Sequence, residues 1–320
     1  MNKLRLLTVA TPALLVLTID LPSRSSGIYQ NGITRGAPAC GQCHRPTPGA
    51  AAGFAPVVVT VDPTARVLAP AQATNVNVSV AGGFGSARGG FACDATAGIF
   101  SAGLNTALAA GGTAITHSNS SARTWSFGYT APSTPGLVEL YTVGNAVNGN
   151  NNNDNNDMWA FAGFDQAAST ATPTRLYVNA PGVTAFGSAC AGGFGNVPVF
   201  GARQAPTVGN AAFALELHGA APNATVGVIL GVTAFPVPID LGFVGVPGCA
   251  LAVDPLLVLN AVTGAGNAQR GEGTATIAMP IPARPILRNR TLRFQAFFTD
   301  VASGRPTPLT FTNGLAVTLQ

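Results

Sequence analysis

The sequence predicts an all-β chain built as two tandem β-sandwich-like domains, and three observations predict it. Hydrophobic residues make up 47% of the 320 positions, but they fall in short runs and not in long helical stripes. Glycine (39) and proline (24) are abundant while only 9% of residues are charged, the composition of many short strands closed by turns. Segments such as Ala73 to Val80 alternate Val with Thr, Asn or Ser, the period-two pattern of a half-buried strand. A length of 320 residues suffices for two domains of ordinary size.

The first element, 1–26, has the layout of a secretory signal. Lys3 and Arg5 precede an apolar stretch from Leu6 to Ile19, and small or polar residues follow from Ser23 to Gly27. The expected cleavage falls between Leu21 and Gly27. The apolar stretch is short of the roughly 20 residues of a spanning helix and contains Pro12, so no stable transmembrane span is expected after cleavage. Export to the periplasm, outer surface or exterior follows, and with it a compartment in which disulfides persist.

Residues 27–54 form a Gly/Pro-rich arm with too little apolar periodicity for a core of its own. The first sandwich is expected over 55–168, with strands at Val57 to Val61, Ala73 to Val80, Gly90 to Ala95, Trp125 to Thr130, Leu137 to Val143 and Met158 to Phe164. Its Asn/Asp-rich stretch, 144–157, cannot bury itself and is read as a surface loop. Asp154 and Asp157 there are candidate Ca²⁺ ligands, although the alternating spacing of a calcium loop is absent. A Thr/Ala/Pro-rich linker is expected over 169–186 and a second sandwich over 187–320. That sandwich would use strands at Phe213 to Leu217, Val226 to Leu230, Leu256 to Leu259, Thr274 to Met279, Leu292 to Phe298 and Leu315 to Leu319.

The formal charge of +4 overstates the basicity of the mature chain, because Lys3, Arg5 and Arg24 lie in or near the leader. Arg284, Arg288, Arg290 and Arg293 are read as a solvated strand edge, since nucleic-acid sites want a continuous basic stripe with stacking aromatics. Nucleic acid is therefore not an expected partner.

One motif carries chemistry: Cys40-Gly41-Gln42-Cys43-His44. Two thiols separated by two residues, followed at once by histidine, have the spacing of a c-type haem attachment site, in which the thiols add to the vinyl groups and the imidazole ligates the iron. A thioredoxin-like redox pair would need a strand-to-helix junction, which Gly36-Ala37-Pro38 and Pro46-Thr47-Pro48-Gly49 do not offer. A zinc site would need a second metal-spaced pair. A small disulfide loop with an incidental histidine is the structural alternative. The reading is one covalent haem c, with His44 as proximal ligand.

The arm from Tyr29 to His44, the tripeptide Ile115-Thr116-His117, the strand Trp125 to Pro132 and the stretch Tyr141 to Asn150 together resemble the bacterial choice-of-anchor V domain, which looks related to the reeler β-sandwich. The resemblance covers about residues 29 to 166 and implies a secreted or surface-displayed sandwich with a CxxCH arm at its edge; it implies no substrate. Gly187 to Cys190, Leu215 to Gly219, Gly245 to Cys249, Phe294 to Phe297 and Thr312 to Leu315 are similar to a C-terminal module of large secreted proteins in planctomycete-like bacteria. No catalytic role comes with it. Cys190 and Cys249 both follow Gly/Ala/Pro turns and are the expected disulfide, which leaves Cys93 as a small core residue.

For the sixth iron position the candidates are His117, His218, Met158 and Met279. His218 continues the alternation of Phe213, Leu215 and Leu217 toward the solvent face, and Met279 is in the same distant domain. His117 is preferred and Met158 is the alternative. The expected function is an exported monohaem electron carrier with an envelope component or redox protein as partner. The competing function is a non-catalytic surface binding or structural protein with Cys40 and Cys43 as a disulfide. An enzyme is the weakest reading, since the chain has neither a Gly-x-Ser-x-Gly elbow nor a convincing pair of acids.

Overall fold

A computed structural model describes residues 26–320 apart from 28, 31, 46, 50, 51, 151, 153 and 155. The expected leader, except for Ser26, lies outside the described residues. The chain is all-β: the helical pieces among the described residues are short 3-10 turns, and none is long and apolar enough to cross a membrane.

The N-terminal unit is built from β1 (Ala55–Pro63), β2 (Val67–Leu68), β3 (Ala73–Gly83), β4 (Gly89–Ala95), β5 (Ile99–Ser101), β6 (Thr106–Ala109), β7 (Ala114–His117), β8 (Thr124–Thr130), β9 (Gly136–Ala146), β10 (Met158–Phe161) and β11 (Thr174–Val178). A four-stranded sheet, β1-β3-β8-β5, faces a seven-stranded sheet, β2-β11-β9-β4-β7-β6, in which β10 also pairs with β9. Period-two alternation decides which side chains meet. Val57, Val59 and Val61 of β1, Val76, Val78 and Val80 of β3, and Trp125, Phe127 and Tyr129 of β8 point inward onto Phe91, Cys93, Ile115, Val138 and Leu140. Thr60, Asp62, Asn75 and Asn77 point out. Each large apolar side chain so buried contributes about 1.5–3 kcal/mol.

Strand β4 is buried at every position, so both of its faces are covered. One faces the sandwich core; the arm covers the other. There Ala92, Val143, Trp159 and Phe161 form an outer cluster with Ala39 and Ala171, joined by the half-buried Tyr29, Ile33, Cys40 and Tyr141. The arm is sewn to the sheet by backbone bonds: Ala37 N–H to Ser169 O (2.8 Å), Ala171 N–H to Arg35 O (3.0 Å) and Gly49 N–H to Trp159 O (2.8 Å). Buried Asp94 on the same face accepts hydrogen bonds from Thr34 (2.6 Å), Arg35 (3.1 and 3.3 Å) and Tyr29 (3.4 Å).

The C-terminal unit contains β12 (Val183–Phe186), β13 (Val199–Gly201), β14 (Ala214–Ala220), β15 (Thr225–Gly231), β16 (Ala234–Asp240), β17 (Ala250–Val253), β18 (Leu257–Val262), β19 (Gly273–Ala278), β20 (Thr291–Thr299) and β21 (Leu309–Thr318). They form a five-stranded sheet β12-β21-β20-β15-β18, a three-stranded sheet β13-β14-β19 and the pair β16-β17. Leu215, Leu217, Val226, Val228, Phe294 and Phe298 fill the space between the sheets. Cys190 and Cys249 form a disulfide with Cα atoms 5.0 Å apart, inside a smaller cluster with Val246, Val253 and Phe311.

Two expectations need correction. The stretch read as a linker, 169–186, carries β11, which pairs antiparallel with β9 and parallel with β2, and then β12, which pairs with β21. Leu176, Tyr177 and Val178 are fully buried there, a short apolar run hidden among Thr, Ala and Pro. His218 does not face open solvent: its ring stacks 5.9 Å from Tyr177 of β11 and its Nε2 is 3.4 Å from Glu216. The alternation was read correctly, but the outer face of β14 is covered by the other unit.

Candidate functional site

A 3-10 turn at Ala39–Gln42 lays Cys40 and then Cys43 on the outer face of the seven-stranded sheet, and the chain carries His44 to the end of β9. Two residues that hold His44 come from either side of the Asn/Asp-rich stretch. Asp157 Oδ2 lies 3.1 Å from His44 Nδ1, and Asn145 Nδ2 lies 3.1 Å from Nε2. These contacts select one tautomer: Nδ1–H donates to the carboxylate, and the Nε2 lone pair accepts from the amide. Asp157 is not a loop-tip carboxylate, because its side chain is 3% exposed and also accepts the Asn148 backbone N–H at 3.0 Å.

His117, at the end of β7, lies beside this group. Its Nδ1 is 3.1 Å from both the N–H and the C=O of Phe91, so either tautomer is held. Burial holds the imidazole below its ordinary value, the Phe91 backbone acts in the other direction, and the nearby His44 lowers it further. The ring is thus kept neutral, the form that ligates a metal.

Gly90, paired with Asn145 across β4 and β9, makes the meeting point possible. A Cβ there would sit 2.4 Å from His117 Cε1, 2.7 Å from its Nε2 and 2.8 Å from Asn145 Oδ1. The ring edge and the amide face the same point, and Asn145 Oδ1 is buried without a hydrogen-bond partner among the described residues. Each histidine has a backbone or carboxylate partner for Nδ1, and His44 Nε2 already meets the Asn145 amide, which an iron ligated there would have to displace.

Cys40 and Cys43 are unbridged and half-buried. Burial pushes the Cys40 thiol up to about 12, with neighbouring Cys43 adding to the rise. A thiol so strongly protonated is the opposite of the activated thiolate that a redox pair requires. Cys93 lies fully buried in the sandwich core, as expected of a small apolar residue.

Met158 is fully buried in the sandwich core, on the face of the sheet opposite the arm. Met279 and His218 are in the C-terminal unit. Of the four candidates for a second iron ligand, His117 lies near enough to His44 to feel its charge. The candidate Ca²⁺ ligand Asp154 is surrounded by amide donors, from Asn148 (3.1 and 3.3 Å), Asn150 (2.6 Å) and the Asn156 backbone (2.8 Å). Burial acts to raise the Asp154 carboxyl, and these amides together outweigh it and hold the group below its usual value.

Gly90 was read only as a strand start, Asn145 as loop, and Asp157 as a candidate Ca²⁺ ligand and not as a partner of His44; the register Gly90↔Asn145 brings two of them together.

Neither a family model nor a curated protein matches the chain. Among solved structures, the chain is similar to the Reelin-N domain of F-spondin, with 17% identity over 42% of this chain and 94% of that one at a TM-score of 0.28. The human F-spondin reeler domain aligns at 19% identity over 41% of this chain and 94% of that one, TM-score 0.27. The adhesin InvE of Yersinia pseudotuberculosis aligns at 13% over 82% and 58%, TM-score 0.21. At these scores the fold rests on the sheets described above, and no activity is carried across.

Proposed function

We propose that the chain is an exported, non-catalytic haem-carrying protein in which Cys40 and Cys43 attach one haem c and His44 ligates its iron. His117 is the second side chain that would ligate the iron. The observation that carries this reading is that His44 and His117 both adjoin Asn145: its amide meets His44 Nε2, its Oδ1 lies with the His117 ring edge at the space left by Gly90, and His44 Nδ1 is tied to the buried carboxylate of Asp157. A ligating histidine gains basicity and a fixed ring orientation from such a partner. When bound, the iron would supply one-electron transfer. The protein's own part is to hold the two imidazoles in place, to cover the site with the arm, and to tie that arm to the sheet through Asp94. The Cys190–Cys249 disulfide is compatible with an oxidising compartment outside the cytoplasm.

Expression together with a periplasmic haem-ligation system, followed by a haem stain on a denaturing gel and intact-mass measurement, tests this. The expected result is a coloured band and the mass of one haem. A His117→Ala variant is expected to keep the covalent haem and change its absorption spectrum and potential. A colourless band removes the reading.

A second reading has its own observation. Both ring nitrogens of His44 are already hydrogen-bonded within the protein, so the arm is closed without any cofactor. On that reading the chain is a surface binding or structural protein and Cys40–Cys43 oxidises to a disulfide. Its signature is a mass two hydrogens below that of the reduced chain.

A further inference from the structure

A cleft of about 650 Å³ lies between the two units, with Gln166 of its wall beside Gly49 of the arm. Its floor is the outward edge of β1 with the turn after β10 and the start of β11; its roof is the Phe194 to Val197 segment with Gln269. That volume is in the range of small-ligand sites, roughly 300–1,000 Å³.

Arg66 is the unusual residue in this wall. It is half-buried on the turn between β1 and β2, and its carbonyl is fixed by the Tyr177 N–H at 2.8 Å. Its guanidinium makes no hydrogen bond or ion pair with any described residue. Arg175, in the same wall, is satisfied by Glu139 at 3.6 Å and by the Arg270 carbonyl at 3.0 Å. Asp62 is the charge that opposes the effect of burial on Arg66, and a planar carboxylate is the group its uncommitted fork matches in two-point fashion.

The other groups of the cleft narrow the ligand. Phe164 and Phe194, one from each unit, stand edge to face with centroids 5.0 Å apart, and Phe164 is 50% exposed. Beside them are the side-chain amides of Gln166, Asn196 and Gln269, and the Asp165 carboxylate, which is turned to the Ala167 N–H at 2.9 Å. Gln166 and Asn196 each commit the amide nitrogen to a backbone carbonyl, which leaves their oxygens to accept. An apolar face flanked by acceptors suits a ring with C–H faces and hydroxyl edges. We propose that this cleft binds a carboxylated saccharide, a uronate, with Arg66 on the carboxylate and Phe164 against the ring face.

Isothermal titration of the full chain with trigalacturonic acid, at low salt, tests this against the neutral galactose trisaccharide. Saturable binding of the uronate is expected, with the neutral sugar weaker by about tenfold or more, the loss of one charge-assisted pair. Arg66→Gln should weaken the uronate by a similar factor with its melting temperature retained. Phe164→Ala removes an exposed side chain and keeps the fold, and should weaken both sugars alike. No saturable uronate heat, equal affinity for the neutral sugar, or binding of an Asp-rich peptide in place of the uronate overturns the proposal. So does full uronate affinity in a folded Arg66→Gln or in Phe164→Ala.

Discussion

Replacing Asp157 by Ala tests whether the His44 arm is held by the carboxylate that the geometry assigns to it. Asp157 accepts two hydrogen bonds, from the Asn148 backbone at 3.0 Å and from His44 Nδ1 at 3.1 Å. Its side chain is 3% exposed against 19% for His44, so neither bond is replaced freely by water. Hydrogen bonds to a charged acceptor contribute about 1.5–3 kcal/mol each, and the partly exposed histidine puts its bond at the low end. The expected loss in Asp157→Ala is therefore about 3–4 kcal/mol, of which about 1.5 kcal/mol belongs to His44.

Urea unfolding of the N-terminal unit can be followed by tryptophan fluorescence, because Trp159 Nε1 donates to Arg45 O, next to His44, at 2.6 Å. His44→Ala alone should cost about 1.5 kcal/mol, and the double variant should cost less than the sum by about that amount. Asp157→Asn separates the two bonds: its amide oxygen still accepts from Asn148, while its amide nitrogen faces a donating Nδ1. It should lose close to the His44 share alone. Additivity within about 0.3 kcal/mol in the cycle would refute the assigned pairing.

Three further outcomes are expected. Glu216 is held below the ordinary carboxyl value of 4.5 first by the hydrogen bond with His218, then by Tyr177 and Arg203 against the opposing effect of burial. Its contribution is complete above about pH 4.5 and lost as the pH falls through the lower folded value, so Glu216→Gln should flatten the acid limb of a pH–stability curve. A limb of unchanged slope counts against the network. Cleaving the Cys190–Cys249 disulfide, which spans a sequence separation of 59, should lower the unfolding free energy by about 4 kcal/mol on the chain-entropy account. The check is the urea midpoint of Cys190→Ser/Cys249→Ser, and a midpoint unmoved would contradict it. Gly90→Ala places a Cβ 2.4 Å from His117 Cε1. The ring must move off Phe91, at about 1–3 kcal/mol, and the His117 imidazole resonances should shift while those of His218 stay.

The sandwich strands were legible because their burial is written locally. Val57, Val59 and Val61 alternate with outward residues on a strand that needs no knowledge of its neighbours. Strand β11 was not, because its TRLYV run is buried on both sides and so lacks alternation, and its Pro and Thr flanks look like linker. The motif half of the site was equally plain, since Cys40, Cys43 and His44 are contiguous. Its supporting half depends on long-range register. Asn145 lies 101 residues from His44 in sequence and Asp157 lies 113, and no spacing rule joins such positions.

The arm and the sheet explain each other. A Gly/Pro-rich segment cannot form a core, and a sheet whose strand β4 carries Ala92 and Asp94 on its outer face cannot leave that face to water without cost. Docking the arm satisfies both: Trp159 and Phe161 are covered, and the Asp94 carboxylate receives Thr34, Arg35 and Tyr29. The same docking half-buries Cys40 and raises its thiol to about 12, which suppresses the thiolate in the folded state. Docking thus protonates the Cys40 thiol with the same packing that brings His44 to Asp157 and near His117.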